Sequence, residues 1–376
     1  MMTYDEAVSL AEQGLLSEAA ARYGLEGSTF KQVPAHPGGR NLLYSVEKAD
    51  AAPTLLRIAF LNDRSPEEHL GEVEFVRYLH EQGGSVPAVL LSRRGHPLEE
   101  ILCQNHRFFV CLFEKARGMR LADNGYRYRE GVPLTEYFHN CGKVLGQLHR
   151  LSKEYAPVHR RYEFSEKYTT DFIDSTVPPA FVTLKERLIQ LTETLAGLDR
   201  NRESYGMIHF DFNDGNYTID YDTGQITVFD FDNACFGWYL FDVADLWRNG
   251  VGWIRSEPDA DKRRAFMDDY FRTAIAGYRS ETSPNDSDLR KLPLFLQATL
   301  MENVLDEFEA MRREGEEPVA DAEMSYRIRC LADNIPYLGL FDPVYSPDQP
   351  FMTVPYGASE PRREASSVSL PEFTSF

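Results

Sequence analysis

Residues 216–230 constrain this chain more than any other stretch. Asn216 and Asp230 bracket two short β-prone runs, YTIDY and QITVFD, separated by Asp222-Thr223-Gly224. A three-residue hairpin loop with glycine in the left-handed position fits that spacing. With Tyr221 paired to Gln225, Asn216 stands opposite Asp230, and cross-strand neighbours on one face lie ~5 Å apart. The hairpin is therefore expected to join an amide and a carboxylate at its open end. Just upstream runs His209-Phe210-Asp211-Phe212-Asn213-Asp214-Gly215-Asn216, which leads Asp211 into the same neighbourhood.

Phosphoryl transfer asks little of a protein: a carboxylate to orient and deprotonate a hydroxyl, and oxygen ligands for Mg²⁺. Asp211, Asn216 and Asp230 are the right types in the right order. A chance string of polar loop residues is the plain alternative, and the coincidence of motif and hairpin weighs against it.

The rest of the chain supplies a frame. Its 376 residues exceed one compact core and imply two lobes. A helix over 4–23 precedes three β-prone runs, STFKQVPA, NLLYSVEKA and APTLLRIAF. Ser65, Pro66 and Glu68 form a helix start with a capping box, and that helix should reach about Gly83. Two more strands are expected near AVLLSRR and RFFVCLFEKA. Beyond Gly118 the pattern turns helical, with Tyr137, Cys141, Val144, Leu145, Leu148 and Leu151 on one stripe. Further helices are expected near 180–197, 258–279 and 290–313.

A net charge of −19 disfavours nucleic acid and anionic membrane as partners and suits a cationic substrate, although acidity also simply keeps proteins soluble. No apolar run is long enough to span a bilayer. The N-terminus carries Asp5 and Glu6 rather than a basic start, so no secretory signal is expected. Five cysteines without C-x-x-C spacing read as reduced thiols of a cytoplasmic protein, and nine histidines without ligand spacing predict no zinc.

HFDFNDGN resembles the H-G-D-x-x-x-x-N loop of the aminoglycoside phosphotransferase and choline-kinase-like family. VFDFDNACFGWYLFDVADL is similar to that family's metal-binding strand and following segment, and GKVLGQLHRLS to the helix before the loop. The likeness spans roughly residues 25–250. It implies an α+β, bilobal, protein-kinase-like fold, with an antiparallel sheet and one helix in a nucleotide-binding N-lobe (1–116). A mainly helical C-lobe (117–340) would carry the catalytic loop and acceptor site, followed by a Pro- and aromatic-rich tail (341–376). The implied activity is transfer of the γ-phosphoryl group of ATP, with Mg²⁺, to a hydroxyl of a small molecule such as an aminoglycoside or amino alcohol. By the same resemblance Asp211 is the catalytic base, His209 supports its loop, and Asn216 and Asp230 bind Mg²⁺. Arg57 falls where the family grips phosphate. Its implied partner is Glu72, which borders the apolar face set by Val76 and Leu79; Glu74 is the second choice. Gly38, Gly39 and Asn41 resemble the phosphate-covering turn, and Glu114 and Ala116 lie at the hinge that reads adenine.

Two rivals remain. Phe210 replaces the Arg of H-R-D and no A-P-E segment follows, which weighs against a regulated protein kinase; a Ser/Thr kinase of the bacterial stress-response type is still an alternative. Asp230-Phe231-Asp232 resembles the D-x-D of haloacid-dehalogenase-type phosphatases, but that reading leaves the upstream motif unexplained. Glu302, Asp306 and Glu309 share a helix face, either toward a cationic acceptor or toward solvent. In the tail, Phe341 to Tyr356 is expected to lie extended against the body of the protein, with a looser stretch after Arg362.

Overall fold

The strand-forming runs of the first third assemble into one antiparallel sheet. The computed structural model describes residues 2–34, 39–49, 51–61, 63–254, 257–282, 284, 286–314 and 322–335; Gly38 and the tail 341–376 lie outside these. Two helices, α1 (Tyr4–Leu10) and α2 (Leu16–Tyr23), replace the single one expected. A π-helical turn at Ala11–Leu15 separates them, where Gly14 takes φ +152°, a backbone angle that suits glycine alone. Then come β1 (Thr29–Gln32), β2 (Asn41–Glu47), β3 (Thr54–Ala59), α3 (Pro66–Glu81), β4 (Val89–Leu90), β5 (Glu99–Cys103) and β6 (His106–Glu114). The sheet runs β1-β2-β3-β6-β4, with β5 also on β6. Leu42, Leu56, Ile58, Phe108, Val110 and Leu112 form its core with Ala7, Leu15 and Ala19 of the N-terminal helices.

Helix α3 starts as its sequence dictates: Ser65 and Glu68 close a reciprocal capping box and Pro66 opens the first turn. Its apolar face goes elsewhere. Phe75, Val76 and Leu79 join the core of the helical lobe rather than that of the sheet. Around that seat Tyr78 Oη donates to the Leu151 carbonyl (3.1 Å), His159 Nδ1 pairs with Glu74 (2.8 Å), and Gly71 lies so close to the Arg160 carbonyl that a Cβ there would sit 2.7 Å away.

The second lobe contains α4 (Leu134–Ser152), α5 (Phe164–Lys167), α6 (Thr170–Thr176), α7 (Val182–Ala196), β7 (Tyr205–Ile208), β8 (Tyr217–Ile219), β9 (Ile226–Val228) and β10 (Cys235–Trp238). After these come α8 (Leu240–Ile254), α9 (Ala260–Arg279), α10 (Asp286–Leu289), α11 (Leu292–Glu314) and α12 (Ala322–Ala332). The stripe read along α4 is buried. Helices α4 and α9 touch backbone to backbone: a Cβ on Gly142 would lie 1.7 Å from the Ala274 carbonyl oxygen. Strands β7 and β10 pair, as do β8 and β9. Among the described residues no helix is long and apolar enough to cross a membrane.

Candidate active site

The loop from His209 to Asn216 leaves β7 through a strained residue, Phe210 at φ +62°. A non-glycine residue keeps that angle only when its surroundings enforce it. Asp242, fully buried at the start of α8, does so: its carboxylate accepts the backbone N–H of Phe210 (2.7 Å) and of His209 (2.8 Å). His149 Nε2 donates to the same carboxylate (3.0 Å), and Tyr278 Oη donates to His149 Nδ1 (2.8 Å). Burial lowers the pKa of His149 against the pull of Asp242, in keeping with a neutral ring locked in one tautomer. Further along α8 the main chain at Phe212 donates to Asp245, and Asn249 Nδ2 donates to the Phe212 carbonyl (3.2 Å). Positions 242, 245 and 249 share one helix face, so a single helix fixes the loop. Asp242→Ala will lower stability by roughly 3–5 kcal/mol, since it strands two buried N–H groups and a buried His. Urea unfolding measures this, and a loss under about 1 kcal/mol would show that the clamp is dispensable.

Asp211 is presented by this loop between two amides. Asn213 Nδ2 donates to Oδ1 (2.7 Å) and Asn216 Nδ2 to Oδ2 (2.9 Å). Burial raises the pKa of the carboxyl, while His209, the two amides and Arg248 hold it down. His209 is itself buried, and its Nε2 donates to the Phe229 carbonyl (2.9 Å), tying the loop to the strand before Asp230.

The hairpin register differs by one from the sequence reading. Tyr217 pairs with Val228 and Ile219 with Ile226, and the Asp220 N–H donates to the Gln225 carbonyl. The loop is thus the four residues Tyr221–Gly224, because Asp220 Oδ1 accepts the N–H groups of Asp222 and Thr223 and tightens the turn. Asn216 therefore faces Phe229, whose N–H donates to its carbonyl (2.9 Å). Asp230 follows at φ +63°, which breaks the strand alternation at that residue. The residue keeps an exposed surface, yet the protein atoms crowded around its carboxyl push its pKa up to about 6, with Asp232 and Asp211 adding and Arg57 opposing. Among the described residues its side chain has no hydrogen bond or ion pair. An unpaired carboxylate beside other carboxylates suits a cation. No three His, Cys, Asp or Glu side chains converge among the described residues; a Mg²⁺ shared with phosphates needs only one or two protein oxygens.

From the sheet side, Arg57 on β3 meets Glu72 on α3 in a fork, Nη1 to Oε1 at 2.6 Å and Nη2 to Oε2 at 2.9 Å, both side chains buried. Glu74 turns away to His159. Arg57 also stands over the ring of Phe113. Gly39 precedes β2; Asn41 opens it opposite Ala59, and its buried Oδ1 has no partner. At the end of β6 the Glu114 N–H donates to the Ala88 carbonyl (2.9 Å), Ala116 follows, and Gly118 at φ +84° runs against the Ile219 carbonyl, where a Cβ would lie 2.0 Å away.

Below the loop lies a cluster of charge. Arg248 bridges Asp245 (3.3 Å) and Asn303 (3.1 Å). Asp245 is pushed up to about 8 by burial, against the pull of Arg248 and with Asp242 and Asp211 adding. Glu302 is held well above the usual carboxylate range by burial, opposed by Lys167 and reinforced by Asp306, Asp245 and Asp211. Asp306 is half-exposed and meets Lys167 (3.4 Å). A cavity of about 460 Å³ opens nearby between the lobes, lined by Arg64, Tyr162, Lys167, Phe172 and Glu309. Sequence reasoning passed over Asp242, Asp245, Arg248 and Asn213. Two acids three residues apart in the otherwise apolar LFDVADLW were the available signal.

The family model described as "Phosphotransferase enzyme family" matches residues 31–278. The chain is 30% identical over 290 residues to the amicoumacin kinase of Bacillus subtilis (strain 168), spanning 76% of this chain and 82% of that protein. Among solved structures, an amicoumacin kinase in complex with AMP-PNP, Ca²⁺ and Ami superposes with a TM-score of 0.75 at 26% identity, covering 90% of this chain and 98% of that one. A microcompartment-associated aminopropanol kinase shares the fold at a TM-score of 0.61 and 20% identity, covering 87% and 94%.

Proposed function

The chain belongs to the phosphotransferase enzyme family, and from that premise we propose that its acceptor is a small molecule bearing a protonated amine near the hydroxyl that is phosphorylated. The enzyme is an ATP-dependent kinase acting on a hydroxyl of a small molecule, and a divalent metal accompanies the nucleotide. Its relatives do not favour the protein-kinase alternative. The phosphatase reading has no support either, since Asp232 is ion-paired with Arg64 and buried.

We assign the residues as follows. The Asp211 carboxylate orients the acceptor hydroxyl and takes its proton as the oxygen attacks phosphorus. Asn213 and Asn216 hold that carboxylate in place, and His209 and Asp242 hold its loop. Asp230 and the Asn216 side-chain oxygen would hold Mg²⁺, which would offset the negative charge of the phosphates. Arg57, fixed by Glu72, grips phosphate; Gly38, Gly39 and Asn41 cover it; Glu114 and Ala116 meet adenine. Residues 1–116 then serve the nucleotide and 117–340 the acceptor.

The observation that carries the amine is the pair of partly buried acids, Asp245 and Glu302, within electrostatic reach of Asp211. A kinase screen with ATP and Mg²⁺ should include amicoumacin, aminoglycosides, amino alcohols and neutral sugars. Amine-bearing acceptors should give the highest kcat/KM; a neutral sugar as the best acceptor overturns the reading.

A pH dependence follows. At neutral pH most Asp245 is protonated, and an amine cation binds its ionised form. KM for the acceptor should fall as pH rises from about 6 to about 8, by at most about tenfold per unit, while an ordinary amine stays charged. Asp245→Asn should flatten that slope. Stability runs the other way: the folded pKa lies above the unfolded one, so the contribution of Asp245 is full at low pH and lost as pH rises through about 8.

A further inference from the structure

The turn that carries Asp230 is gripped from outside. All four carbonyls of residues 231–234 are engaged: Phe231 by the Ala234 N–H (2.9 Å), Asp232 and Ala234 by Arg161, and Asn233 by Tyr162 Oη (3.0 Å). Arg161 also donates to the Glu68 carbonyl on α3 (3.0 Å). The side chains of the turn are held by a residue of the other lobe. Arg64, between β3 and α3, forms an ion pair with Asp232, and its second nitrogen stands 3.5 Å from Asn233 Oδ1. Both partners are nearly inaccessible, with side-chain exposures of 8% and 11%.

Asp230 needs such support. It sits at φ +63°, an angle that a non-glycine residue does not keep unaided. We propose that Arg64 is a positioning residue for the metal site: through Asp232 it fixes the turn that aims the Asp230 carboxylate, and it makes that aim depend on the two lobes being together. Arg161 and Tyr162 hold the same turn from the helical lobe, and Phe75 of α3 meets the Phe231 ring; Arg64 is the side chain of the nucleotide lobe that pairs with the carboxylate of the turn. A fork-shaped guanidinium suits this task, because it can face a carboxylate and a neighbouring amide at once. The inference rests on the reading of Asp230 as a metal ligand.

The test uses the full chain and needs no acceptor. Binding of AMP-PNP is titrated calorimetrically at graded Mg²⁺, and metal-free adenosine is titrated in parallel, for wild type, Arg64→Gln and Arg64→Lys. The Gln variant should raise the Mg²⁺ needed for half-maximal AMP-PNP binding by roughly 10–100-fold, the usual cost of losing a group that orients a metal ligand. The Lys variant, which keeps the charge and loses the fork, should show a smaller rise and serves alone if the Gln variant does not fold. Adenosine affinity should hold in both. An unchanged Mg²⁺ requirement overturns the proposal, and so does a loss of adenosine affinity in step with it, which marks Arg64 as merely structural. Wild-type AMP-PNP binding that is indifferent to Mg²⁺ removes Asp230 from the metal site, and the proposal with it.

Discussion

Asp211→Asn will cut turnover by roughly 10²–10⁴-fold while ATP binding stays nearly intact, the usual scale for losing a general base. The substitution keeps shape and volume but removes the site that accepts the proton. The structure adds a local consequence. Asn213 and Asn216 both donate to the carboxylate, one to each oxygen. An amide at 211 offers one oxygen and one NH₂, so one donor must face another. Asn216 also donates to the Asp211 carbonyl (2.9 Å), which keeps the loop closed. The defect should therefore appear in single-turnover chemistry rather than in calorimetric titration with Mg·ATP. A variant with near-normal turnover on its best acceptor would mean that another group takes the proton.

Asp230→Ala should abolish measurable Mg·ATP binding while sparing metal-free adenosine. Its carboxylate is the charge at that end of the hairpin, and a neutral methyl offers Mg²⁺ nothing. Equal losses for the two ligands, measured by calorimetry, would remove Asp230 from the metal site. Asn216→Ala should weaken Mg·ATP less, because a neutral amide contributes less than a carboxylate. Its nitrogen, however, is engaged on Asp211, so this variant should also lose turnover.

Much of this site was legible because two periodicities met. Strand alternation put Arg57 on the inner face of β3, helical spacing put Glu72 at the edge of the apolar face of α3, and the two side chains meet. The start of α3 was written in three residues, Ser65, Pro66 and Glu68. What stayed hidden depends on local backbone angles that residue types specify weakly. The hairpin gained a loop residue through the Asp220 turn, and Asp230 leaves the strand in the left-handed region. Strand β5 was missed because its link to β6 is Gln104-Asn105, both at positive φ, with no glycine to announce a tight turn. Arg64 and Asp242 act across long sequence separations, where no periodicity points. The expected docking of Phe341 to Tyr356 lies outside the described residues.

The seating of α3 has a regulatory consequence. Enzymes that are switched by swinging the corresponding helix keep it loosely held, so that its acid can leave the phosphate-gripping cation. Here the helix is rooted in the opposite lobe by Phe75, Val76 and Leu79. Pulling those three side chains out would cost about 1.5–3 kcal/mol each. The swung-out state would then hold roughly one molecule in a thousand or fewer. In the folded protein that packing keeps Glu72 on Arg57.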